Sequence, residues 1–454
     1  MLLAVKSLWM LPLVAAAALP PLACSSPDQG SSAKPPLCDP AQSQTAATDR
    51  SSCKFAAGAL PEATVGCTGR QIPIDHVVLI MQENRSFDHY LQKLPEYGQP
   101  DVDVAPAGVT NPAPDSTPIP FVHKTEYCFD DTDHSWTASH TEWDNGKNDG
   151  FAIANARTSD PTGARAMGYY DQTDIPFYYK LANTFAIGDN YHCSLLGPTW
   201  PNRMYFYAAT SFGLVSNKPP PAEGNNIFKV LNAAKVTWKI YKSNTPAEAM
   251  FISTFLANRD HVVDISEFAK DAAAGTLPAV SFVESIFNEG GAGRSSEHPP
   301  GDMQLGQTFA HDQVTSLMQS PLWSRSAMFI TYDENGGLYD HVPPPKACAP
   351  DSTPPREHAD LGGFDRYGFR VPVFVISPYV KKHYVSHILH DHTSILRFVE
   401  ARFNLPALTA RDANADAMLD MFDFKNPPFM TPPSFDPPPV DQKQLDACLA
   451  KYPK

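Results

Sequence analysis

The sequence has little positive charge, no internal repeat and no closely spaced cysteine pair. Its 454 residues carry 35 Lys and Arg against 49 Asp and Glu, which gives a formal net charge of -14. This balance argues against nucleic acid as a partner and against an electrostatic grip on anionic membranes, because both depend on cationic side chains. The absence of a Cys-x-x-Cys motif argues against a zinc ribbon. A cation site, or a cationic or zwitterionic substrate, is compatible with this composition.

Long apolar segments are also missing, and the main apolar run covers residues 8–19 at the amino end. Lys6 precedes this run, which is too short to span a bilayer comfortably and is typical of an export signal. A small residue followed by Cys24 and a polar stretch resembles a bacterial lipoprotein site. We therefore predict a signal peptide over residues 1–23 and an exported protein that is periplasmic, secreted or anchored at the cell surface. Ordinary cleavage after Ala23 and lipidation of Cys24 are the two alternatives.

The eight cysteines are spread along the chain, and in an exported protein they favour disulfides. If Cys24 carries a lipid, seven cysteines remain and one is left over. We predict that Cys38, Cys53 and Cys67 staple the amino-terminal segment, with Cys448 of the tail as a further partner. The spacing leaves the connectivity open.

The length and the hydrophobic content of 43% suffice for one large domain or two ordinary ones. Residues 24–71 predict a flexible tether rich in Ser and Pro, residues 72–425 a catalytic domain, and residues 426–454 a Pro-rich extended tail. The alternation of strand and helix patterns predicts an α/β fold, with a mostly parallel central sheet and helices on both faces. The candidate strands are 76–81, 185–189, 237–241, 279–284, 327–332 and 371–377, and the candidate helices are 247–258, 302–318, 391–404 and 412–421.

The segment 327–345, AMFITYDENGGLYDHVPPP, places two acidic pairs after an apolar run. The run ends at Asp333 and Glu334, and a Gly-Gly turn leads to Asp340 and His341. Open α/β sheets bind ligands at the carboxyl ends of buried strands such as this one. Neighbouring carboxylates repel unless a positive group lies between them, and a cation is the simplest candidate. A solvated junction between strand and loop is the plainer alternative.

The segment 74–90, IDHVVLIMQENRSFDHY, follows the same pattern. Its apolar run has the length and composition of a buried parallel strand and ends at Glu83 and Asn84. If both strands are central to one sheet, these two side chains converge with Asp333 and Glu334. The sequence therefore predicts a metal site at this edge of the sheet.

The segment 193–211, CSLLGPTWPNRMYFYAATS, predicts a turn that leads into a helix. Gly197 and Pro198 favour the turn, and Pro201 suits the first turn of a helix. Thr199 then lies at the helix amino terminus, where backbone N–H groups and the helix dipole favour an anion. A Thr hydroxyl in contact with a dication becomes a better nucleophile. A simple helix-capping role is the alternative.

Six motifs that include these segments occur in one order along the chain. Together they resemble the bacterial phosphoesterase family that includes phosphatidylcholine-hydrolysing phospholipases C and a branch of acid phosphatases. The resemblance covers residues 72–425 and implies an alkaline-phosphatase-like α/β fold. The motifs are ENRSFDHY, GYYDQTDIPFYYKLANTFAIGDNYHCSLLGPTWPNR, EHPPGDMQLGQ, TYDENGGLYDHVPPP, GFRVPVFVISPYV and HDHTSILRFVE.

The resemblance implies one divalent metal ion and a threonine nucleophile. Thr199 would be the nucleophile, and Asn84 would also touch the phosphate. Because all the implied ligands are oxygen donors, Ca²⁺, Mg²⁺ or Mn²⁺ is favoured over Zn²⁺. The implied metal ligands are Glu83, Asn84, Thr199, Asp333 and Glu334.

The resemblance also implies roles for polar side chains around the phosphate. His134 would contact phosphate oxygens, and a protonated His298 would contact phosphate or assist the leaving group. Asn202 and His341 are further candidates for substrate binding. One departure from the family pattern is the stretch 285–297, where a Gly/Ser-rich sequence replaces the usual Asp-rich approach to the EHPP motif. That loop is expected to shape the substrate pocket.

The chain is therefore predicted to be a metal-dependent phosphoesterase that cuts a phospholipid on the diacylglycerol side of the phosphate through a phospho-threonine intermediate. Its partner would be a phospholipid or a small phosphoester, with membrane contact through the substrate or through a lipid at Cys24. An acid phosphatase acting on phosphomonoesters is the nearest alternative, and a non-catalytic surface lipoprotein is another. A sulfatase is disfavoured because no Cys/Ser-x-Pro-x-Arg motif occurs. No extra lipid-recognition domain is expected after the core.

Overall fold

The strands and helices of this computed structural model are given for residues 36–220, 222–286 and 290–453, which are the residues that the structure describes. The predicted signal peptide, Cys24 and the first part of the predicted tether lie outside the described residues. The strands are β1 His76–Gln82, β2 Thr110–Pro112, β3 Pro118–Pro120, β4 Val122–His123, β5 Gly168–Tyr169, β6 Ala186–Gly188, β7 Tyr191–His192, β8 Trp238–Lys242, β9 Val262–Asp264, β10 Val280–Glu284, β11 Ser326–Tyr332, β12 Val373–Ile376, β13 Tyr384–Ser386 and β14 His390–Asp391. The α-helices are α1 Ala47–Ser51, α2 Pro61–Thr64, α3 Phe87–Leu91, α4 Trp136–Trp143, α5 Phe151–Asn155, α6 Pro176–Thr184, α7 Thr199–Ala208, α8 Ile227–Ala233, α9 Ile252–Ala257, α10 Ser266–Ala274, α11 Met303–Met318, α12 His392–Phe403, α13 Ala410–Ala413 and α14 Gln442–Lys451.

The main sheet has eight strands in the order β13-β6-β12-β11-β1-β10-β8-β9. Strand β12 runs antiparallel to β11 and β6, whereas every other neighbouring pair is parallel. All six predicted strands lie in this sheet, and the predicted α/β class with a mostly parallel sheet is confirmed. The prediction missed β9 and β13, since each has three residues and neither forms a long apolar run.

Helices cover both faces of the sheet. Every residue of β11 is buried, and successive side chains of a strand point to opposite faces. Phe329 packs on Phe398 of α12, with ring centroids 4.9 Å apart, and Tyr332 on the other face lies near Tyr178 of α6 at 6.5 Å. Fully burying a large apolar side chain contributes roughly 1.5–3 kcal/mol, so this layered packing is a main source of stability.

Two of the predicted helices form with bounds close to those expected. Helix α11 begins after Asp302, whose side chain accepts a hydrogen bond of 2.9 Å from the Gln304 N–H. Helix α12 ends at Phe403, and the following Asn404 adopts a left-handed conformation that terminates the helix. Both patterns combined regular apolar spacing with a recognisable end signal.

The other two predicted helices differ from the structure. The pattern at 247–258 is broken into a 3₁₀ turn and α9, with the break at Phe251. The helix predicted at 412–421 is wrong, because α13 ends at Ala413 and Met418 has a positive φ of 57°. There the Asp416 side chain accepts a hydrogen bond from the Met418 N–H, and this bond stabilises a turn in place of a helix.

The amino-terminal segment after residue 35 is more ordered than the predicted tether. Residues 36–71 contain α1, α2 and two 3₁₀ turns, and belong to the same compact unit as the sheet. A Cys38–Cys67 disulfide closes this segment, and a Cys53–Cys348 disulfide ties it to the rest of the domain. The sequence named these three cysteines as staples but not the partner of Cys53. The prediction that Cys448 is a further partner of these cysteines is wrong, because Cys448 pairs with Cys128.

The predicted extended tail carries a helix of its own. A Cys128–Cys448 disulfide fastens α14 to the loop before α4. Among the cysteines of residues 36–453, Cys193 is left over, and it is buried and free. Three disulfides are typical of proteins that fold in an oxidising compartment. No helix in the described part of the chain has the length and hydropathy needed to cross a bilayer.

Candidate active site

Strand register brings the two predicted acidic strand ends together. Strands β1 and β11 are parallel neighbours with Gln82 opposite Tyr332, so Glu83 and Asp333 follow at adjacent positions. Asn84 has a φ of +60° and turns the chain so that its N–H donates to Asp333 Oδ1 at 3.1 Å. The side chains of all three are buried. The carboxyl ends of two central strands therefore form one polar site.

An arginine that the sequence analysis missed lies between two of these carboxylates. Arg203 on α7 places Nη2 3.3 Å from Glu83 Oε1 and Nε 3.5 Å from Asp333 Oδ2. Its side chain is 2% exposed, so the positive charge is held inside the site. Arg203 follows Thr199 by four residues, and helical spacing could have placed it on the same helix face.

Thr199 is the first residue of α7 and is buried. Because residues four apart lie on one face of a helix, Thr199 is on the face of α7 that Arg203 turns toward the carboxylates. The N–H of Trp200 in the same turn donates to Asn217 Oδ1 at 2.9 Å. This bond occupies one N–H of the helix amino terminus, and the role of Thr199 as nucleophile and metal ligand stays a prediction.

Asn202 does not turn its side chain to this site. Its Oδ1 accepts hydrogen bonds from the N–H groups of Ser194 and Leu195 at 2.9 and 3.1 Å, and its Nδ2 donates to Gly197 O at 2.8 Å. The side chain is fully buried and fully used by the loop before α7. The structure therefore gives Asn202 the role of shaping the loop that presents Thr199, in place of the expected substrate contact.

His341 also differs from the expectation. Its Nδ1 lies 2.7 Å from Asp88 Oδ2 and its Nε2 lies 3.2 Å from Asp103 Oδ1. Arg370 Nη2 approaches the same Nδ1 at 3.1 Å. These contacts place His341 in a separate ion-pair network, which also contains Asp340, rather than among the predicted phosphate contacts.

His134 connects the carboxylates to a second histidine. Its Nδ1 lies 2.7 Å from Glu334 Oε1, and its Nε2 lies 3.3 Å from Asn84 Nδ2. The rings of His134 and His298 are 5.4 Å apart, and Asp131 lies within 3.7 Å of the first and 3.9 Å of the second. The structure thus brings both predicted histidines to one place. Asp131 was missed, although it stands three residues before His134 in the DTDHSW motif.

The two histidines hold protons differently. Burial disfavours a charged imidazole, but the carboxylates of Glu334 and Asp131 raise the pKa of His134 well above its ordinary value. Burial lowers the pKa of His298 to about 4, so its imidazole is neutral near neutral pH. The expected protonated His298 is therefore not what this environment favours.

Glu297 directly precedes His298, and hydrogen bonds fix its buried side chain. The hydroxyls of Tyr90, Tyr178 and Tyr332 donate to its carboxylate at 2.7, 2.5 and 2.8 Å, and its φ is +74°. Three donors fix a buried carboxylate firmly. The backbone that leads into His298 is therefore anchored by a side chain that the sequence analysis treated only as part of a motif.

The comparisons with known proteins identify the family. A model of the Phosphoesterase family matches residues 74–406. The chain belongs to the Phosphoesterase family. Phospholipase C A of Mycobacterium tuberculosis is 34% identical over 428 residues, which cover 80% of each chain. Non-specific phospholipase C1 of Arabidopsis thaliana is 34% identical over 395 residues, 79% of this chain and 72% of that one.

Further matches agree with this family. The Non-hemolytic phospholipase C of Burkholderia pseudomallei is 30% identical over 451 residues and covers 79% of this chain and 60% of its own. A solved structure of an alkaline phosphatase superfamily protein from Vibrio parahaemolyticus matches 72% of this chain and 78% of its own, at a TM-score of 0.33 and 11% identity. Family and relatives make this protein a phosphoric ester hydrolase.

The donor set of this phosphoesterase fits a divalent cation. Asn84 Oδ1 and Asp333 Oδ2 are buried and accept no hydrogen bond from any residue that the structure describes. Burial raises the pKa of Glu83 to about 8 and that of Glu334 to about 7, with Arg203 and His134 opposing the two shifts. Arg203 supplies one positive charge beside Asp333, and the raised pKa values together with the Asn84 oxygen show that these oxygen donors suit a further cation.

Compact groups of His and carboxylate ligand atoms occur elsewhere as well. Within the described ranges, the predicted set of Glu83, Asp333 and Glu334 is not itself one of these groups, and Arg203 lies between two of its members. One group overlaps the site, and three lie in other networks. The groups are Asp131/His134/His298, Asp88/Asp340/His341, His123/Asp171/Asp174 and His390/Asp416/Asp420.

A cavity of about 490 Å³ opens beside this centre. His134 and Pro198, which precedes Thr199, form part of its wall. The predicted pocket loop contributes a charge nearby, since Arg294 lies close enough to Glu83 and His298 to lower the pKa of each. The site therefore combines buried carboxylates with this open, polar cavity, which we call the vestibule.

Proposed function

We propose that the protein is an exported, metal-dependent phosphodiesterase of the phospholipase C type that acts through a phospho-threonine intermediate. The observation that carries this proposal is the convergence of Glu83, Asn84 and Asp333 at the ends of β1 and β11, facing the helix that begins at Thr199. The phospholipase C relatives support a phospholipid as substrate. The disulfides support export.

Glu83, Asn84, Thr199, Asp333 and Glu334 would hold one divalent ion, with Ca²⁺, Mg²⁺ or Mn²⁺ favoured over Zn²⁺ by the oxygen donors. When bound, such an ion offsets negative charge on the phosphoryl oxygens and activates the Thr hydroxyl. The buried oxygens of Asn84 and Asp333, which accept no hydrogen bond from the described residues, support this assignment.

In the proposed reaction, Thr199 Oγ1 attacks phosphorus and the bond from phosphorus to the diacylglycerol oxygen breaks. The Thr hydroxyl loses its proton, and the leaving oxygen gains one. Water then attacks the phospho-threonine, releases the phosphorylated headgroup and restores the hydroxyl. Arg203, beside the carboxylates, keeps their charge from repelling the phosphate.

The leaving group needs a proton donor, and the pKa directions favour His134 over His298 for holding that proton. His298 then contacts the phosphate as a neutral imidazole. Substituting each by Asn separates these roles, because loss of the proton donor slows substrates with poor leaving groups more than p-nitrophenyl esters.

An acid phosphatase is the second candidate, and the polar vestibule favours it. Arg157, Arg165 and Asn217 line the cavity, which suits a hydrophilic ester as well as a lipid headgroup. The same nucleophile and donors serve a phosphomonoester, so only the substrate distinguishes the two proposals.

Substrate turnover by the purified, chelated protein tests both candidates. Hydrolysis of phospholipid vesicles and of p-nitrophenyl phosphate is measured without metal and after adding Ca²⁺, Mg²⁺, Mn²⁺ or Zn²⁺. Phospholipase C activity predicts metal-dependent release of diacylglycerol that Thr199→Ala abolishes and Thr199→Ser retains in part. Activity only on the monoester makes the protein a phosphatase. Unchanged turnover in Thr199→Ala refutes the nucleophile, and inactivity on every ester favours a non-catalytic role.

A further inference from the structure

The vestibule beside His134 has a chemical character that the phospholipase C proposal does not specify. Its described walls include two arginines, two aspartates and small side chains, and no Trp, Tyr or Phe is among them. The lining residues are Asp131, Thr132, Asp133, His134, Ser135, Ala154, Ala156, Arg157, Arg165, Pro198 and Asn217.

The two arginines are held in place from behind. Arg157 pairs with Asp130 at 2.6 Å and Arg165 with Asp160 at 3.1 Å, and neither of these acids lines the cavity. Both guanidinium groups also donate to the backbone carbonyl of Asp131, at 3.3 and 3.2 Å. Fixed in this way, they present planar donors with little loss of side-chain freedom on binding.

One donor of this pair lacks a partner. The Nε of Arg157 donates to no residue in the described part of the chain, and the Arg157 side chain is 37% exposed, so another part of its guanidinium group reaches the cavity. Acceptors stand close by on the same wall, because Asp131 and Asp133 each spend one carboxylate oxygen on a local N–H, that of Thr132 or of Ser135. The vestibule therefore offers both hydrogen-bond donors and acceptors.

Two arginines stand beside the two aspartates of the lining, so a cationic guest meets competing cations as well as carboxylates. A quaternary ammonium is recognised by aromatic rings and carboxylates without competing cations, and it can neither donate nor accept hydrogen bonds. A hydroxyl group does both. Resting on the proposed phospholipase C activity, we propose that this vestibule binds a neutral polyol headgroup of the glycerol or inositol class in preference to choline.

Binding of headgroup phosphates to Thr199→Ala tests the vestibule separately from turnover. Titration calorimetry compares inositol 1-phosphate with phosphocholine. The expected result is at least about tenfold tighter binding of the inositol ester, since two or more charge-assisted hydrogen bonds are available only to it. Arg157→Gln and Arg165→Gln should each reduce this ratio, and the matched control Arg259→Gln, at an exposed site outside the vestibule, should keep it.

Equal or tighter binding of phosphocholine, or binding of neither ester, overturns the vestibule proposal, as does a ratio that both arginine variants leave unchanged. If Arg157→Gln does not fold, Arg157→Lys gives the same test, because it keeps the charge but loses the planar fork. Turnover by the wild-type protein decides the other question. Absence of hydrolysis with the inositol preference intact refutes only the phospholipase C proposal, and hydrolysis that prefers phosphatidylcholine refutes only the polyol vestibule.

Discussion

The segments 74–90 and 327–345 each contribute one carboxylate to two separate buried groups. The two groups differ in how completely their oxygens are hydrogen-bonded. In the first group, Glu83 and Asp333 share Arg203 at 3.3 and 3.5 Å. In the second, Asp88 and Asp340 each lie 2.9 Å from Arg370. Every one of these carboxylates is buried, so burial alone does not separate the groups.

The second group is saturated with hydrogen bonds. The Arg370 guanidinium also donates to the carbonyls of Asp103 and Asp189 at 2.9 and 2.8 Å, and the N–H of Asp88 donates to Asp340 Oδ2 at 3.2 Å. In the first group, by contrast, Asp333 Oδ2 accepts no hydrogen bond from the described residues. Satisfied buried charges stabilise a fold, whereas a buried carboxylate oxygen that accepts no hydrogen bond is a candidate ligand for a cation.

Removing the central cation of the saturated group should have the largest effect. Arg370→Met leaves Asp88 and Asp340 buried without their partner, and breaking such a pair costs about 3–5 kcal/mol of unfolding free energy. Urea denaturation measures the loss. Arg325→Met, which breaks an exposed pair with Asp75, is the matched control and should cost at most about 1 kcal/mol. A loss from Arg370→Met as small as the control's would mean that this group is not architectural.

Substitution in the first group, which contains Glu83 and Asp333, should reduce turnover and leave the unfolding free energy intact. Asp333→Asn keeps an oxygen for the N–H groups of Asn84 and Glu334 but removes the buried charge. We expect turnover to fall by about 100-fold or more, as for loss of one electrostatic contact to a transition state, with the unfolding free energy unchanged or higher. Ester hydrolysis and urea denaturation in chelator are measured side by side. Asp340→Asn is the counterpart, and the comparison fails if it reduces turnover more than it reduces stability.

A third buried carboxylate lies between these extremes, because Glu297 is satisfied by tyrosine hydroxyls. Gly306 packs directly against it, and a Cβ added there would lie 2.0 Å from Glu297 Cγ. Gly306→Ala should therefore cost about 1–3 kcal/mol as an overpacked site and displace the support of His298. A Cβ added at Gly290 would meet no atom within 4 Å, so Gly290→Ala is the matched control. Equal unfolding free energies of the two variants would show that the Glu297 side chain can shift away from the added methyl group without cost.

The sequence revealed the first group but not what distinguishes it from the second. Apolar runs ending at Glu83 and Asp333 predicted adjacent strand ends, because parallel strands align their carboxyl termini. The pair Asp340 and His341 looked equivalent to Asp333 and Glu334, although its partner Arg370 follows 30 residues later in a different motif. Residue type shows which groups ionise, but only tertiary contacts show which are satisfied.

Long-range links explain the parts of the fold that were missed. The cysteines that order the amino-terminal segment and the tail have partners 295 and 320 residues away, and no local pattern encodes such pairings. The proton on the histidine pair was missed for a similar reason. His134 and His298 are 164 positions apart in sequence, yet the acids around the first determine which of them is charged.

His341 offers the smallest and most discriminating test, because it was expected to bind substrate and lies in the saturated group. Burial disfavours its charged form, but the bond to Asp88 raises the pKa of His341 above its ordinary value. A raised pKa in the folded state means that the ion pair stabilises the fold fully below about pH 6.5 and is lost as pH rises through the folded pKa.

His341→Gln should therefore lower the unfolding free energy by at most about 1 kcal/mol near pH 5.5 and by less near pH 9, because Arg370 still pairs with Asp88 when the imidazole is absent. Urea denaturation at the two pH values measures this difference, with His383→Gln, an exposed histidine outside the group, as control. Ester turnover should change less than twofold, because Arg370 keeps Asp88 in place without the imidazole. If the variant loses turnover while its unfolding free energy stays unchanged, His341 belongs to the active site. The two carboxylate groups are then not separate in function.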